Sequence, residues 1–190
     1  AVPGDYTLES EYQIADITAM LDRIETALKT YPAGFLKSSA KNAVQLCIVR
    51  SVSGDAAPVF YWNGATPYIV LPVGCDAADG LAMGLGYMIN SRVISASTKL
   101  DKWPQLNPNK FSYGDEPEQS QLEGEDRAFV DAMSTTSATE DRSRIFHHAM
   151  KPNNAEMFAS ETMQKKLEML CIAIRDTWDW KKSAETYPWE

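Results

Sequence analysis

The chain has 190 residues, 44% of them hydrophobic and 23% charged, with a net charge of −8. That length suits one domain with one substantial core. An acidic balance with no basic stripe has the wrong sign for a nucleic-acid backbone or an anionic membrane surface, and neither is expected as a partner. No apolar run approaches the roughly 20 residues that span a bilayer. The start, Ala1-Val2-Pro3-Gly4-Asp5, carries neither a basic n-region nor a signal h-region, and it fits a trimmed export signal and a cytosolic protein equally well.

Ile17, Met20, Leu21, Ile24, Leu28 and Tyr31 recur at three- and four-residue spacing and predict a first helix over residues 9–30. Asp16, Asp22, Arg23 and Glu25 are left for solvent, and Pro32 and Gly34 stop the helix. Residues 43–52 read as a strand with Val44, Leu46, Ile48 and Val52 on one face. Residues 58–62 and 68–71 read as two further strands, with Asn63-Gly64 as the hairpin turn between them. Residues 76–94 predict a glycine-rich helix. Residues 95–124 lack periodicity and form a long irregular connection, of the kind that is functional or packed by its own side chains. A helix then starts at Ser137 or Glu140 and ends at Lys151-Pro152. The last spans residues 154–178, burying Met163, Leu167, Leu170, Ile174 and Trp178. This order is that of an α+β domain with segregated elements, without repeats.

Chemistry-bearing residues are few. Cys47, Cys75 and Cys171 are odd in number and form no CxxC pair, so neither a disulfide framework nor a structural zinc site is indicated. Cys47 and Cys171 read as small core residues. Cys75 follows a strand and precedes a helix, where a thiolate can be activated, and it could pair with His147 or His148. The adjacent Asp76 opposes this. His147 and His148 point about 100° apart on a helix and cannot easily share a metal, so they read as a surface or half-buried pair whose charge suits the helix C-terminus. Gly80, Gly84 and Gly86 match no phosphate loop and read as places of close packing. Ser137-x-x-Glu140 matches a capping box.

Four blocks, in order, carry a family pattern: Ile89-Asn90-Ser91-Arg92; Trp103-Pro104-Gln105-Leu106-Asn107-Pro108-Asn109-Lys110-Phe111-Ser112-Tyr113; Phe129-Val130-Asp131-Ala132-Met133; and Glu140-Asp141-Arg142-Ser143-Arg144-Ile145-Phe146. From end to end the chain resembles gluzincin-type extracellular zinc metallopeptidases of Gram-positive bacteria. In that family an H-E-x-x-H helix ends in residues like I-D-S-R. A W-x-x-L-N-P-x-x-F-x-Y stretch, a segment like F-V-S-x-Y-A and an E-D-x-A-x-x-F helix with the third zinc ligand follow.

The resemblance implies a zincin-like single domain over residues 1–190, with an N-terminal helix, a small sheet, a central former active-site helix and C-terminal helices. It sets Met83 at the first histidine, Gly84 at the catalytic glutamate and Tyr87 at the second histidine. Glu140 keeps the third-ligand position, with Asp141 beside it. Two imidazoles at i and i+4 hold Zn²⁺, and the intervening carboxylate activates water; a thioether, a bare Cα and a phenol do neither. No catalytic residue, metal or cofactor is expected. The implied protein is a catalytically inactive metallopeptidase homologue, extracellular or at the cell surface. Its former cleft, with Met83, Gly84, Tyr87, Glu140 and Asp141, would bind a peptide or small ligand. The alternatives are a hydrolase with an unorthodox site around Glu140, Asp141, His147 or Cys75, and a purely structural module of a cell-surface protein.

Overall fold

The computed structural model describes residues 14–33, 35–36, 44–52, 57–114, 116–119, 121–180 and 183–190. The expected beginning of the first helix at residues 9–13, the stop at Gly34 and the strand start at Ala43 lie outside them. The architecture is α+β. The chain divides into two units, residues 1–84 and 85–190.

The first unit opens with α1 (Ile14–Leu28). Its buried stripe is Met20, Ile24 and Ala27, continued past the helix by Tyr31 and Phe35. Leu21, expected on that stripe, is 51% exposed. The residues at 20, 24, 27 and 31 follow one face at the helical period, and Leu21 falls about 100° off it. The sheet has β1 (Gln45–Val49), β2 (Val59–Asn63) and β3 (Thr66–Pro72), ordered β1-β3-β2. β1 runs parallel and β2 antiparallel to β3. The central strand buries consecutive Ile69, Val70 and Leu71, as a strand covered on both faces does. The edge strand β1 is different: Leu46, expected on its buried face, is exposed, and Val49 is buried.

The hairpin turn sits one residue later than Asn63-Gly64 suggests. Asn63 pairs with Thr66, so Gly64-Ala65 is the two-residue loop. Gly64 has φ +60° while Ala65 does not take positive φ, which is the type II′ pattern with glycine first. Arg23 ties α1 to the end of β3 by donating to the Val73 carbonyl at 2.8 Å.

α2 (Ala77–Ala96) follows, capped by Asp76, whose Oδ1 accepts from the backbone N–H groups of Ala78 and Asp79. Gly80 and Gly84 lie against the sheet: a Cβ at Gly80 would come within 2.8 Å of Leu71 and Pro58, and one at Gly84 within 2.8 Å of Ile69.

The second unit contains the rest of α2, a 3₁₀ segment Lys99–Leu106, a 3₁₀ turn Ala132–Thr135, α3 (Ala138–Ala149) and α4 (Glu161–Thr177). Gly86 faces α3 so closely that a Cβ there would sit 2.5 Å from the Ser143 carbonyl oxygen. α4 begins at Glu161, seven residues later than expected. Ser160 caps it, accepting from the Met163 N–H, and residues before it form turns. Its buried face is Met163, Lys166, Leu170, Ala173 and Ile174, with Leu167 and Trp178 only half-buried. Within the long connection Tyr113 packs edge-on to Phe111 at 5.2 Å, and the Phe111 ring lies 4.6 Å from that of Phe129, just beyond the connection. The C-terminal segment folds back through Arg175, which holds the Glu190 carboxylate with two donors. No described helix is long and apolar enough to cross a membrane.

Candidate functional site

α3 starts where Ser137 takes extended backbone angles and its Oγ accepts the Glu140 N–H at 3.1 Å. A complete capping box would return the Glu140 carboxylate to the Ser137 backbone. That half is not formed. Glu140 Oε2 instead accepts the Tyr87 hydroxyl at 2.6 Å and the Arg144 Nε–H at 2.8 Å. A phenol and a guanidinium are better partners for a carboxylate than one more amide, so the side chain leaves its own helix end.

The network continues outward. Arg144 Nη1 donates to Asp131 Oδ2 at 2.6 Å, while Asp131 Oδ1 accepts from the backbone N–H and hydroxyl of Ser134 and so caps the short 3₁₀ turn. Burial pushes the Tyr87 phenol well above its usual range, and the adjoining Glu140 carboxylate adds to this. Tyr87 is therefore a neutral hydrogen-bond donor. Glu140 and Arg144 are both about one-fifth exposed, so this part of the unit is accessible from solvent.

One residue on, the environment reverses. Asp141 and Lys166 are both wholly buried. Asp141 Oδ2 accepts from Lys166 Nζ at 2.7 Å, the Tyr113 hydroxyl at 2.7 Å and the Trp103 indole N–H at 2.9 Å. Lys166 also donates to the Ala128 carbonyl at 2.8 Å and lies 4.0 Å from the Phe129 ring centre. Burial draws the Asp141 carboxyl up, and Lys166, Tyr113 and Trp103 pull it back; burial likewise draws the Lys166 ammonium down against the pull of Asp141. Asp141, expected beside a ligand cleft, is turned inward, because successive residues of a helix face about 100° apart and Asp141 falls on the buried side of α3. Arg142 is buried too. Its Nε donates to Asn90 Oδ1 at 2.6 Å, and its guanidinium carbon lies 5.7 Å from the Trp103 ring centre.

Of the ten residues from Leu81 to Asn90, Met83 and Tyr87 are half-buried and the other eight are buried. They are four apart on α2, on one stripe of that helix. Gly84 is closed off by Ile69, so it contributes no surface to a cleft. His147 is buried and His148 half-buried, with rings 5.3 Å apart and steeply inclined.

The cysteines are all free thiols. Burial pushes the Cys75 thiol up; Arg23 pulls it down, and Asp76 and Asp79 oppose Arg23. That is a poor setting for an activated thiolate. Cys47 and Cys171 are half-buried, where core positions are expected. β1 is an edge strand, and α4 presents Cys171 at the margin of its buried face. The Cys171 thiol is pushed up to about 12 by burial and then by Glu190.

The residues fit zinc poorly. At Tyr87 the donor is a phenol held neutral, and Glu140 already shares its oxygen with a guanidinium, whose charge repels a cation. Among the described residues no group of three or more His, Cys, Asp or Glu side chains could hold a metal ion. Lys166, Arg142 and Arg144 are the partners that motif reading misses. Lys166 has a visible signal: a cation at the Met163/Leu170 spacing of an apolar stripe.

No family model matches the chain, and no curated protein or solved structure matches it either.

Proposed function

We propose that this protein is a non-hydrolytic, metallopeptidase-like module in which a hydrogen-bonded phenol and carboxylate stand in place of a zinc site. One observation carries the reading. The resemblance assigns the second histidine to Tyr87 and the third ligand to Glu140, and these positions, 53 residues apart, meet at 2.6 Å. The blocks behind the resemblance also meet in the second unit: Asn90 with Arg142, Trp103 and Tyr113 with Asp141, and Asp131 with Arg144.

The module's work is then binding. The half-buried Tyr87, Glu140 and Arg144 offer a phenol, a carboxylate and a guanidinium to the polar backbone of a peptide or to a small polar ligand. The resemblance alone carries an extracellular or cell-surface location.

The test is a calorimetric zinc titration of the purified chain beside a hydrolysis assay on an unfolded protein substrate. No stoichiometric zinc binding and no cleavage are expected. One zinc per chain held below micromolar, or cleavage that a chelator abolishes, would overturn the reading.

A further inference from the structure

We propose that Lys166 and Asp141 are joined in the mature protein by a side-chain amide, an Nζ–Cγ cross-link between α4 and α3 formed with loss of one water. The inference does not depend on the functional reading above. Nζ lies 2.7 Å from Asp141 Oδ2, and neither side chain is open to solvent, so an amine and a carboxyl group are held together in a dry site.

The hydrogen bonds around the carboxyl group point to the product. Lys166, Trp103 and Tyr113 all converge on Oδ2, whereas Oδ1 is buried with no hydrogen-bond partner among the described residues. A buried carboxylate oxygen without a donor is costly. Amide formation removes it, because Oδ1 is the oxygen that departs. The amide carbonyl, Oδ2, keeps the Trp103 and Tyr113 donors, and its one N–H keeps the Ala128 carbonyl, now 2.8 Å from Nζ. Every polar atom of the product is then satisfied by a group already in place.

The pair supplies all the atoms. In the net reaction two protons pass from Nζ to Oδ1; loss of the first leaves a neutral amine, which attacks Cγ. The tetrahedral oxyanion on Oδ2 rests between the Trp103 N–H at 2.9 Å and the Tyr113 hydroxyl at 2.7 Å. A second proton passes from nitrogen to Oδ1, the Cγ–Oδ1 bond breaks and water leaves. One amide N–H remains, nothing is oxidised or reduced, and the pair is neutral before and after. Burial favours the uncharged amine and acid through which the step runs. The Phe129 ring, 4.0 Å from Nζ, and the Trp103 ring, 5.8 Å away, keep out the water that would reverse it.

Intact-mass measurement of the purified, denatured full chain is the test, followed by tryptic mapping. The expected mass is lower than the sequence mass by one water. The map should contain a branched peptide joining residues 128–142 to residues 166–175, uncut after Lys166. Lys166→Arg should show its own full sequence mass. The wild-type mass decides the question even if that variant folds poorly. A wild-type chain at full sequence mass, with Lys166 in linear peptides, would overturn the proposal. So would a lost water that maps to a succinimide at Asp79-Gly80.

Discussion

The Tyr87 hydroxyl and the Glu140 carboxylate, on α2 and α3, share a 2.6 Å hydrogen bond that joins two helices across 53 residues of sequence. Arg144 reaches the same carboxylate oxygen at 2.8 Å, so Glu140 neither caps its helix nor stands unpaired.

Removing the phenol hydroxyl therefore has a measurable cost. Tyr87→Phe deletes a hydrogen bond to a charged acceptor that keeps Arg144, and about 1–2 kcal/mol of stability should be lost in urea unfolding. Glu140→Ala should cost a similar amount. The double variant should lose less than the two single losses added, since both remove one interaction. Strict additivity would show that the bond contributes nothing.

The glycines of α2 give a contrast between two neighbouring sites. A Cβ at Gly86 meets the Ser143 carbonyl oxygen at 2.5 Å, which is backbone and cannot step aside. Alanine's better helix propensity, about 1 kcal/mol, does not offset a forced separation of the helices. Gly86→Ala is expected to lower the melting temperature more than Gly84→Ala, whose clash is with the Ile69 side chain. Equal effects, or stabilisation by Gly86→Ala, would contradict the close approach of α2 and α3.

Acid should loosen the C-terminal segment. Burial pushes the Glu190 carboxyl up, but the Arg175 fork and the Tyr187 N–H outweigh it and hold the group below its usual range. A depressed carboxyl contributes stability above the unfolded pKa, about 4.3, and loses it as pH falls through the lower folded value. Glu190→Gln should then cost about 1–2 kcal/mol at neutral pH and much less at the acid end of a urea-unfolding series. A cost unchanged by pH would exclude this linkage.

Periodicity reads the fold well where one face is buried. The sheet strands, α2 and α3 fall close to their predicted places, α4 starts seven residues later than its pattern suggests, and Ser137 caps α3 as its position suggests. It fails where packing chooses between neighbours. Ala27, too small to weigh in an apolar pattern, lies on the buried stripe of α1, and Leu21 does not. The site was legible in part. Spacing alone makes Glu140 a cap, and nothing in that spacing points to Tyr87, 53 residues away. The difference between Glu140 and Asp141, one partly exposed and one wholly buried, depends on how α3 is rotated against its neighbours. A one-dimensional motif does not contain that rotation. Lys166 was readable only as an anomaly, a charge inside an apolar stripe, and its partner is 25 residues away.

Rebuilding the metal ligands decides whether Tyr87 and Glu140 stand in a former zinc site. Met83 and Tyr87 are the half-buried i, i+4 pair of α2, and Glu140 touches position 87. A Met83→His/Tyr87→His variant, titrated with zinc by calorimetry, should bind one zinc per chain at least roughly tenfold more tightly than the same variant carrying Glu140→Ala, the loss expected when a coordinating carboxylate is removed. Zinc affinity that is indifferent to Glu140, or no gain over the wild-type chain, would show that these residues do not occupy a metallopeptidase metal site.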